Sequence, residues 1–325
     1  MGYALIADVG ATKVRVAVGT DEGKFVVKVE EDTDKADEPM ALSRQLKRMF
    51  YKALEESGVE LEAIDGIGIG SAGPLKDGCI VGSPNMAHKG RIPIVDPISS
   101  EFGKRTWLEN DCNTAVHGER HYGAGRDTGN LVYITFSTGI GGGAYVDGHL
   151  LLGKDGNAVE IGHIIIDFEG NLVCGCGRRG HWEAYCSGNN IPRSASFVIS
   201  RWMEEGVFKD LDLNGYMAKV RNPSFSSREL YEDAKAGDPV ALKIVEWIGR
   251  LNAIGISNVV SCYDPDLVTC GGSIALNNPE LLMDPMMRYI DEYMFNRMPS
   301  ITITPLGDEI VLYGALALVF HPIRR

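Results

Sequence analysis

Residues 131–148 read LVYITFSTGIGGGAYVDG: an apolar run from Leu131 to Phe136, a turn from Ser137 through Gly139, Ile140 and Gly141-Gly142-Gly143, and a second apolar run from Ala144 to Val146. Asp147-Gly148 then opens a further hairpin. Glycine in such a turn bends the backbone tightly and lets it approach a ligand. The same arrangement stands near the start of the chain. Tyr3 to Ala7 is apolar, Asp8-Val9-Gly10-Ala11-Thr12-Lys13 turns, Val14 to Val18 resumes, and Asp21-Glu22-Gly23 gives the next hairpin signal. One pattern written twice predicts two related α/β domains. The expected boundaries are residues 1–113 with about 311–325 for a small domain, and 114–310 for a larger one.

Between the two patterns, Leu42, Leu46, Met49, Phe50, Ala53 and Leu54 share one helical face over Ala41 to Ser57, and Gly58 follows as a C′ residue. Ile64 to Gly70 reads as a buried strand, Trp107 and Leu108 as a short one, and Thr114 to Tyr122 as a helix. Asn110 and Asp111 therefore sit between a strand end and a helix, where open α/β proteins place ligands. Helices are expected over Pro192 to Met203, Pro239 to Ser261 and Pro279 to Arg297, with Pro in the first turn. Asp266 to Cys270 is a short strand ending in Gly271-Gly272-Ser273, and Leu312 to Phe320 is a last helix packing on the first domain.

The 325 residues carry a formal charge of −12 and a hydrophobic content of 44%, which supports sizeable cores and argues against a nucleic-acid surface. The start MGYALIADVG has no basic segment or cleavage site, and the longest apolar stretch, VLYGALALVF, is too short to span a bilayer. A soluble, cytoplasmic protein is expected. Cys79, Cys112, Cys186, Cys262 and Cys270 are scattered and read as reduced thiols.

His163, Cys174, Cys176 and His181 are different: four soft or borderline ligands in two short clusters, in a glycine-rich frame, as a tetrahedral structural zinc site requires. Such a metal would draw Glu160 and Glu183 together. Two neighbouring carboxylates call for a ligand rich in hydroxyl donors, such as a sugar. His117 and His121 stand at i, i+4 with no third ligand nearby and read as surface histidines.

Two glycine turns, with Gly271-Gly272-Ser273 as a third, suit the backbone capture of nucleotide phosphates, and no P-loop or Rossmann fingerprint competes. Phosphoryl transfer follows, with Asp111 as the base that accepts the proton of an attacking hydroxyl and Asn110 orienting that hydroxyl. An Asn-Asp pair ahead of a helix is also an ordinary N-cap. Asp8 either holds Mg²⁺ through water while Thr12 or Lys13 contacts phosphate, or is an ordinary turn residue.

These motifs together resemble the ROK family of sugar kinases and repressors, in the actin-like ATPase superfamily. The carriers run nearly end to end: DVGATKVRVAV, GIGIGSAGP at Gly66 to Pro74, Ser83-Pro84-Asn85, LENDCNTA, FSTGIGGG, EIGH, CGCGRRGHWEAYCSG and TCGGS. The resemblance implies a two-domain, ribonuclease H-like α/β fold with an interdomain active-site cleft. It implies a sugar bound by Gly73, Asn85, Asn110, Asp111, Glu160, His163 and Glu183, with Asp111 catalytic. ATP would lie against Asp8, Gly10, Ala11, Thr12 and Lys13, against Thr138 and Gly139, and near Ser187, Gly188, Gly271 and Gly272. The metal site of the family commonly has three cysteines, and here His181 takes the place of one. Ala11, Ser137 and Val159 each stand where the family commonly has glycine.

The resemblance implies ATP- and Mg²⁺-dependent phosphorylation of the 6-hydroxyl of a hexose, glucose first, in a homo-oligomer. The Met86-to-Gly90 segment MAHKG, unlike the run usual in glucokinases, leaves N-acetylmannosamine or another N-acetylhexosamine as the alternative substrate. A sugar-responsive repressor would carry a helix-turn-helix extension ahead of the first turn, which here begins at Asp8. An actin-like ATPase acting as a conformational machine is a further rival, disfavoured by Glu160, His163 and Glu183.

Overall fold

A computed structural model describes residues 1–82 and 86–323. The strands are β1 (Tyr3–Val9), β2 (Lys13–Thr20), β3 (Phe25–Asp32), β4 (Ile64–Ser71), β5 (Leu75–Lys76), β6 (Cys79–Val81) and β7 (Arg91–Pro93). They continue with β8 (Thr106–Asn110), β9 (Leu131–Phe136), β10 (Ile140–Val146), β11 (His149–Leu150), β12 (Leu267–Gly271) and β13 (Ser300–Ile303). The helices are α1 (Ala41–Ser57), α2 (Val95–Phe102), α3 (Asp111–His121), α4 (Glu183–Cys186), α5 (Ile191–Glu205) and α6 (Leu213–Val220). The remaining ones are α7 (Ser227–Lys235), α8 (Pro239–Tyr263), α9 (Gly272–Asn277), α10 (Pro279–Tyr289) and α11 (Ile310–Phe320).

The chain divides into two compact units. One comprises Met1–Tyr133, Gly143–Val159 and Thr304–Arg325, and the other Ile134–Gly142 and Glu160–Ile303. In the first, the sheet order is β3-β2-β1-β4-β8, with β1 to β3 an antiparallel meander and β4 and β8 parallel to β1. The two-residue period of β1 and β2 splits their apolar side chains between faces. Leu5, Ala7, Val9, Val14, Val16 and Val18 pack on one side with Leu46, Met49 and Phe50 of α1. Ala4, Ile6 and Ala17 pack on the other with Leu312, Ala315, Leu316 and Val319 of α11. Helix α11 is apolar on every side, as a helix enclosed by its own unit must be. It lies so close to the sheet that a Cβ on Gly68 of β4 would come within 1.9 Å of the Ala315 carbonyl oxygen.

The second sheet has the order β11-β10-β9-β12-β13, with β10 and β11 antiparallel and β12 and β13 parallel. Numbered within itself it reads 3-2-1-4-5, the same order as the first sheet. The duplicated glycine hairpins therefore mark duplicated sheets. A three-stranded sheet, β5-β6-β7, is the third sheet among the described residues. No described helix is long and apolar enough to cross a membrane.

Three expectations need correction. Helix α3 starts at Asp111 rather than Thr114, because the Asn110 side chain accepts from the Cys112 and Asn113 amides and so organises a turn earlier. The helix from Pro279 ends at Tyr289, and Ile290–Glu292 tightens into a 3₁₀ turn. His117 is not a surface residue: it is 1% exposed, its Nδ1 is 2.6 Å from the Tyr145 hydroxyl and its Nε2 2.9 Å from the His321 carbonyl oxygen. Since a carbonyl only accepts, Nε2 carries the proton and Nδ1 accepts from Tyr145. Burial pushes its pKa down to about 4.

Candidate functional site

Asp111 is the first residue of α3, directly after β8. Asn110 caps the helix through Oδ1, taken by the Cys112 amide at 2.9 Å and the Asn113 amide at 3.2 Å. The cap reading and the functional reading are thus compatible: the Asn110 Nδ2 donors are not engaged by any described residue. Beneath them Glu109 is buried, and its Oε1 accepts from the Asn110 amide at 2.9 Å and from Asn113 Nδ2 at 3.2 Å. Behind α3, Gly118 and Gly314 allow α11 to cross at backbone contact; a Cβ on Gly314 would fall 1.7 Å from the Thr114 carbonyl oxygen. The catalytic candidate therefore stands on a braced strand-to-helix junction.

The first glycine turn is closed by the Gly10 amide donating to the Lys13 carbonyl oxygen, 2.9 Å. Thr33 braces it, its hydroxyl on the Gly10 carbonyl and its amide on the Thr12 carbonyl. Lys13 is paired with Glu30 of β3, and the cation at the turn is Lys35, whose ammonium donates to the Ala11 carbonyl. Asp8, just before the turn, is ion-paired with Arg15 at 2.6 Å. Burial raises the Asp8 pKa, and the Arg15 charge and hydrogen bonds oppose that rise.

In the second unit three glycine-bearing segments meet at Ser137. The Gly188 amide donates to the Ser137 carbonyl at 2.7 Å and the Asn189 amide to that of Thr138 at 3.2 Å. The hydroxyls of Ser137 and Ser273 are 3.1 Å apart. The glycines are demanded by proximity. A Cβ on Gly188 would come 2.9 Å from the Ser137 oxygen, and one on Gly272, at φ +83, would come 2.6 Å from the Phe136 oxygen. Thr138, Gly139, Ser187, Gly188, Gly271 and Gly272 thus form one backbone-lined locus.

Glu183 joins this locus to the other motif. Its Oε2 accepts from the Ile140 amide at 3.1 Å, and its Oε1 lies 3.4 Å from the Cys174 thiol, which donates to it. The absence of a side chain at Gly139 leaves room for this carboxylate, since a Cβ would meet Glu183 Oε2 at 2.6 Å and displace it. The position of Glu183 is set by Trp182, which is fully buried, donates from Nε1 to Asn252 Oδ1 at 2.9 Å, and lies against the α8 backbone at Gly255.

His163, Cys174, Cys176 and His181 converge, their ligand atoms all within 4.8 Å of one another. A tetrahedron with bonds of 2.0–2.3 Å has edges of about 3.3–3.8 Å. The Cys174 Sγ to His163 Nδ1 distance of 3.7 Å and the Cys176 Sγ to His181 Nδ1 distance of 3.3 Å match those edges. The donor set fits zinc. Burial is the main cause that pushes the Cys174 thiol up to about 12, so its use as a thiolate calls for a cation. His163 Nε2 is 3.9 Å from Glu160 Oε2. Val159, just before Glu160, is held at φ 62, a left-handed conformation that β-branched residues rarely adopt.

Gly73 stands after β4 at φ 102, where only glycine is unstrained, and Asn85 lies outside the described residues. Arg15, Lys35, Glu109 and Trp182 were missed from sequence. Only Arg15 had a readable signal: the hairpin register that pairs Val9 with Val14 also pairs Asp8 with Arg15.

The chain matches the ROK family over residues 5–321. It is 35% identical to a glucokinase of Aeropyrum pernix, over 99% of this chain and 98% of that protein. It is 31% identical to a ROK hexokinase of Thermus thermophilus, with a TM-score of 0.78 over 97% of this chain and 96% of the other. It is 27% identical to a ROK family glucokinase of Streptomyces griseus solved with glucose and AMPPNP, with a TM-score of 0.71 over 98% and 99% of the two chains.

Proposed function

The chain belongs to the ROK family, and on that premise we propose that it transfers the γ-phosphoryl group of ATP to the 6-hydroxyl of a hexose, with glucose the preferred acceptor. The observation that carries this reading is the Glu183 carboxylate, one oxygen bonded to the Ile140 amide of the second glycine turn. A hydroxyl-binding carboxylate is thereby fastened to a phosphate-type turn. An enzyme that brings an alcohol to a phosphoryl group needs that juxtaposition.

Asp111 accepts the proton of the attacking hydroxyl, and Asn110 donates from Nδ2 to orient it. Glu160, His163 and Glu183 hold further sugar hydroxyls. Backbone amides of the two glycine turns receive the phosphates, which suits a chain whose net charge is −12. Mg²⁺, when bound, neutralises charge on the β- and γ-phosphates, and Asp8 would hold it through water. Zinc, when bound, would cross-link Cys174 and Cys176 to His163 and His181 and so fix the backbone on either side of Glu183.

A coupled assay of ADP release with ATP and glucose, N-acetylglucosamine, N-acetylmannosamine, mannose or fructose tests the reading. Glucose should give the highest kcat/KM. ADP release independent of every sugar would overturn it.

A further inference from the structure

Asp8 and Arg15 are directly opposed partners in the β1–β2 hairpin. An arginine facing a carboxylate usually spreads two N–H groups across both oxygens. Here it does not. Arg15 Nη2 and Nε both donate to Asp8 Oδ2, at 2.6 and 3.2 Å, while Nη1 reaches Asp308 Oδ2 at 3.2 Å. Asp8 makes no further hydrogen bond among the described residues, so Oδ1 is left open on a side chain that keeps 15% of its exposure.

We infer that Arg15 is a positioning residue for the divalent cation that accompanies the nucleotide: by taking Oδ2 alone it turns Oδ1 of Asp8 outward, ready for a water of that cation. The inference rests on the phosphoryl-transfer reading above. Arg15 is itself anchored. Asp308 Oδ2 meets the far side of the guanidinium at 3.2 Å, which gives the arginine a second partner on the side away from Asp8. Lysine cannot reproduce this, because a single ammonium lacks the fork that meets Asp8 and Asp308 at once. Groups that orient a metal-binding carboxylate in this way commonly contribute about 10- to 100-fold to metal affinity.

The test is Mn²⁺ binding in the presence of ADP, read from the electron paramagnetic resonance signal of free Mn²⁺, for the unaltered protein, Arg15→Met and Arg15→Lys. Metal-free ADP binding is measured in parallel by calorimetry. Arg15→Met should weaken Mn²⁺ binding by about tenfold or more while leaving metal-free ADP affinity unchanged. Arg15→Lys should fall between the two. A merely structural arginine would instead lower both affinities together, and that result overturns the inference. Unchanged or tighter Mn²⁺ binding in Arg15→Met overturns it as well. If Arg15→Met does not fold, Arg15→Lys decides alone, and Mn²⁺ affinity equal to that of the unaltered protein rejects the role. Absence of Mn²⁺-dependent ADP binding in the unaltered protein would remove the phosphoryl-transfer reading itself, an outcome distinct from a normal unaltered protein and an unaffected variant.

Discussion

Gly314→Ala separates two physical effects of opposite sign. In the interior of a helix such as α11, alanine is favoured over glycine by about 0.8–1.0 kcal/mol. Against this stands the crossing with α3, where the new Cβ would lie 1.7 Å from the Thr114 carbonyl oxygen and 2.4 Å from its carbon. Both are backbone atoms inside a helix, so no side chain can rotate away. The helices must separate by more than an ångström, and overpacking of that kind costs about 1–3 kcal/mol or more. A backbone clash at 1.7 Å belongs in the upper part of that range, about 2–3 kcal/mol, so the net effect should be a loss of about 1–2 kcal/mol, which for a domain of this size lowers the unfolding midpoint by about 2–4 °C per kcal/mol. Gly118→Ala, whose Cβ would meet backbone atoms at 2.7 and 2.8 Å, should be milder. Because Thr114 is one helical turn from Asp111, turnover should also fall, by up to about 100-fold for a 1 Å displacement of the base. Urea unfolding followed by circular dichroism, with kcat measured on the same samples, provides the comparison. A Gly314→Ala protein as stable as the unaltered one, or more stable, would show that propensity outweighs the crossing and would refute the argument.

Asp111→Asn should lower kcat by about 10²- to 10⁴-fold while calorimetric sugar binding persists, and near-normal turnover would reject Asp111 as the base. Purified protein should contain zinc by elemental analysis, and Cys174→Ser and His181→Ala should each reduce the content; loading indifferent to both changes would remove the proposed ligands. For His117 the folded value of about 4 lies below the ordinary 6.5, so the folded state binds its proton less readily than the unfolded state does. Stability from this group is therefore complete above pH 6.5 and is lost as pH falls toward 4, by up to about 3 kcal/mol. Urea midpoints at pH 7 and pH 5 should differ less in His117→Gln than in the unaltered protein, and an equal difference would exclude His117 as the source.

The parts of the fold that read correctly from sequence are those governed by local rules. Helix α1 ends at Gly58 because that residue takes the left-handed φ of 65 that its position demands, and both glycine hairpins lie where their turn chemistry puts them. The start of α3 was misjudged because Asp111 and Cys112 are indifferent helix formers, and only the two amides on Asn110 reveal the turn. The metal-type cluster was legible since its four ligands lie close in the chain. Asp111 is otherwise: its local pattern is that of any capped helix, and Asn110 does cap, so the role proposed for it rests on its place at a strand end beside the glycine turns and on the family resemblance. The Glu30 partner of Lys13 and the burial of His117 escaped the sequence for a common reason. Glu30 lies on a neighbouring strand, and Tyr145 and His321 lie far along the chain from His117, so no periodicity announces them.

Trp182 sits between His181 and Glu183 with its indole sealed against Gly255 and tied to Asn252. The protein therefore contains an intrinsic optical gauge for that corner of the second unit. A paramagnetic ion such as Co²⁺ taken up by the adjacent imidazole would quench the indole emission, and the quenching would report occupancy in solution without any attached dye.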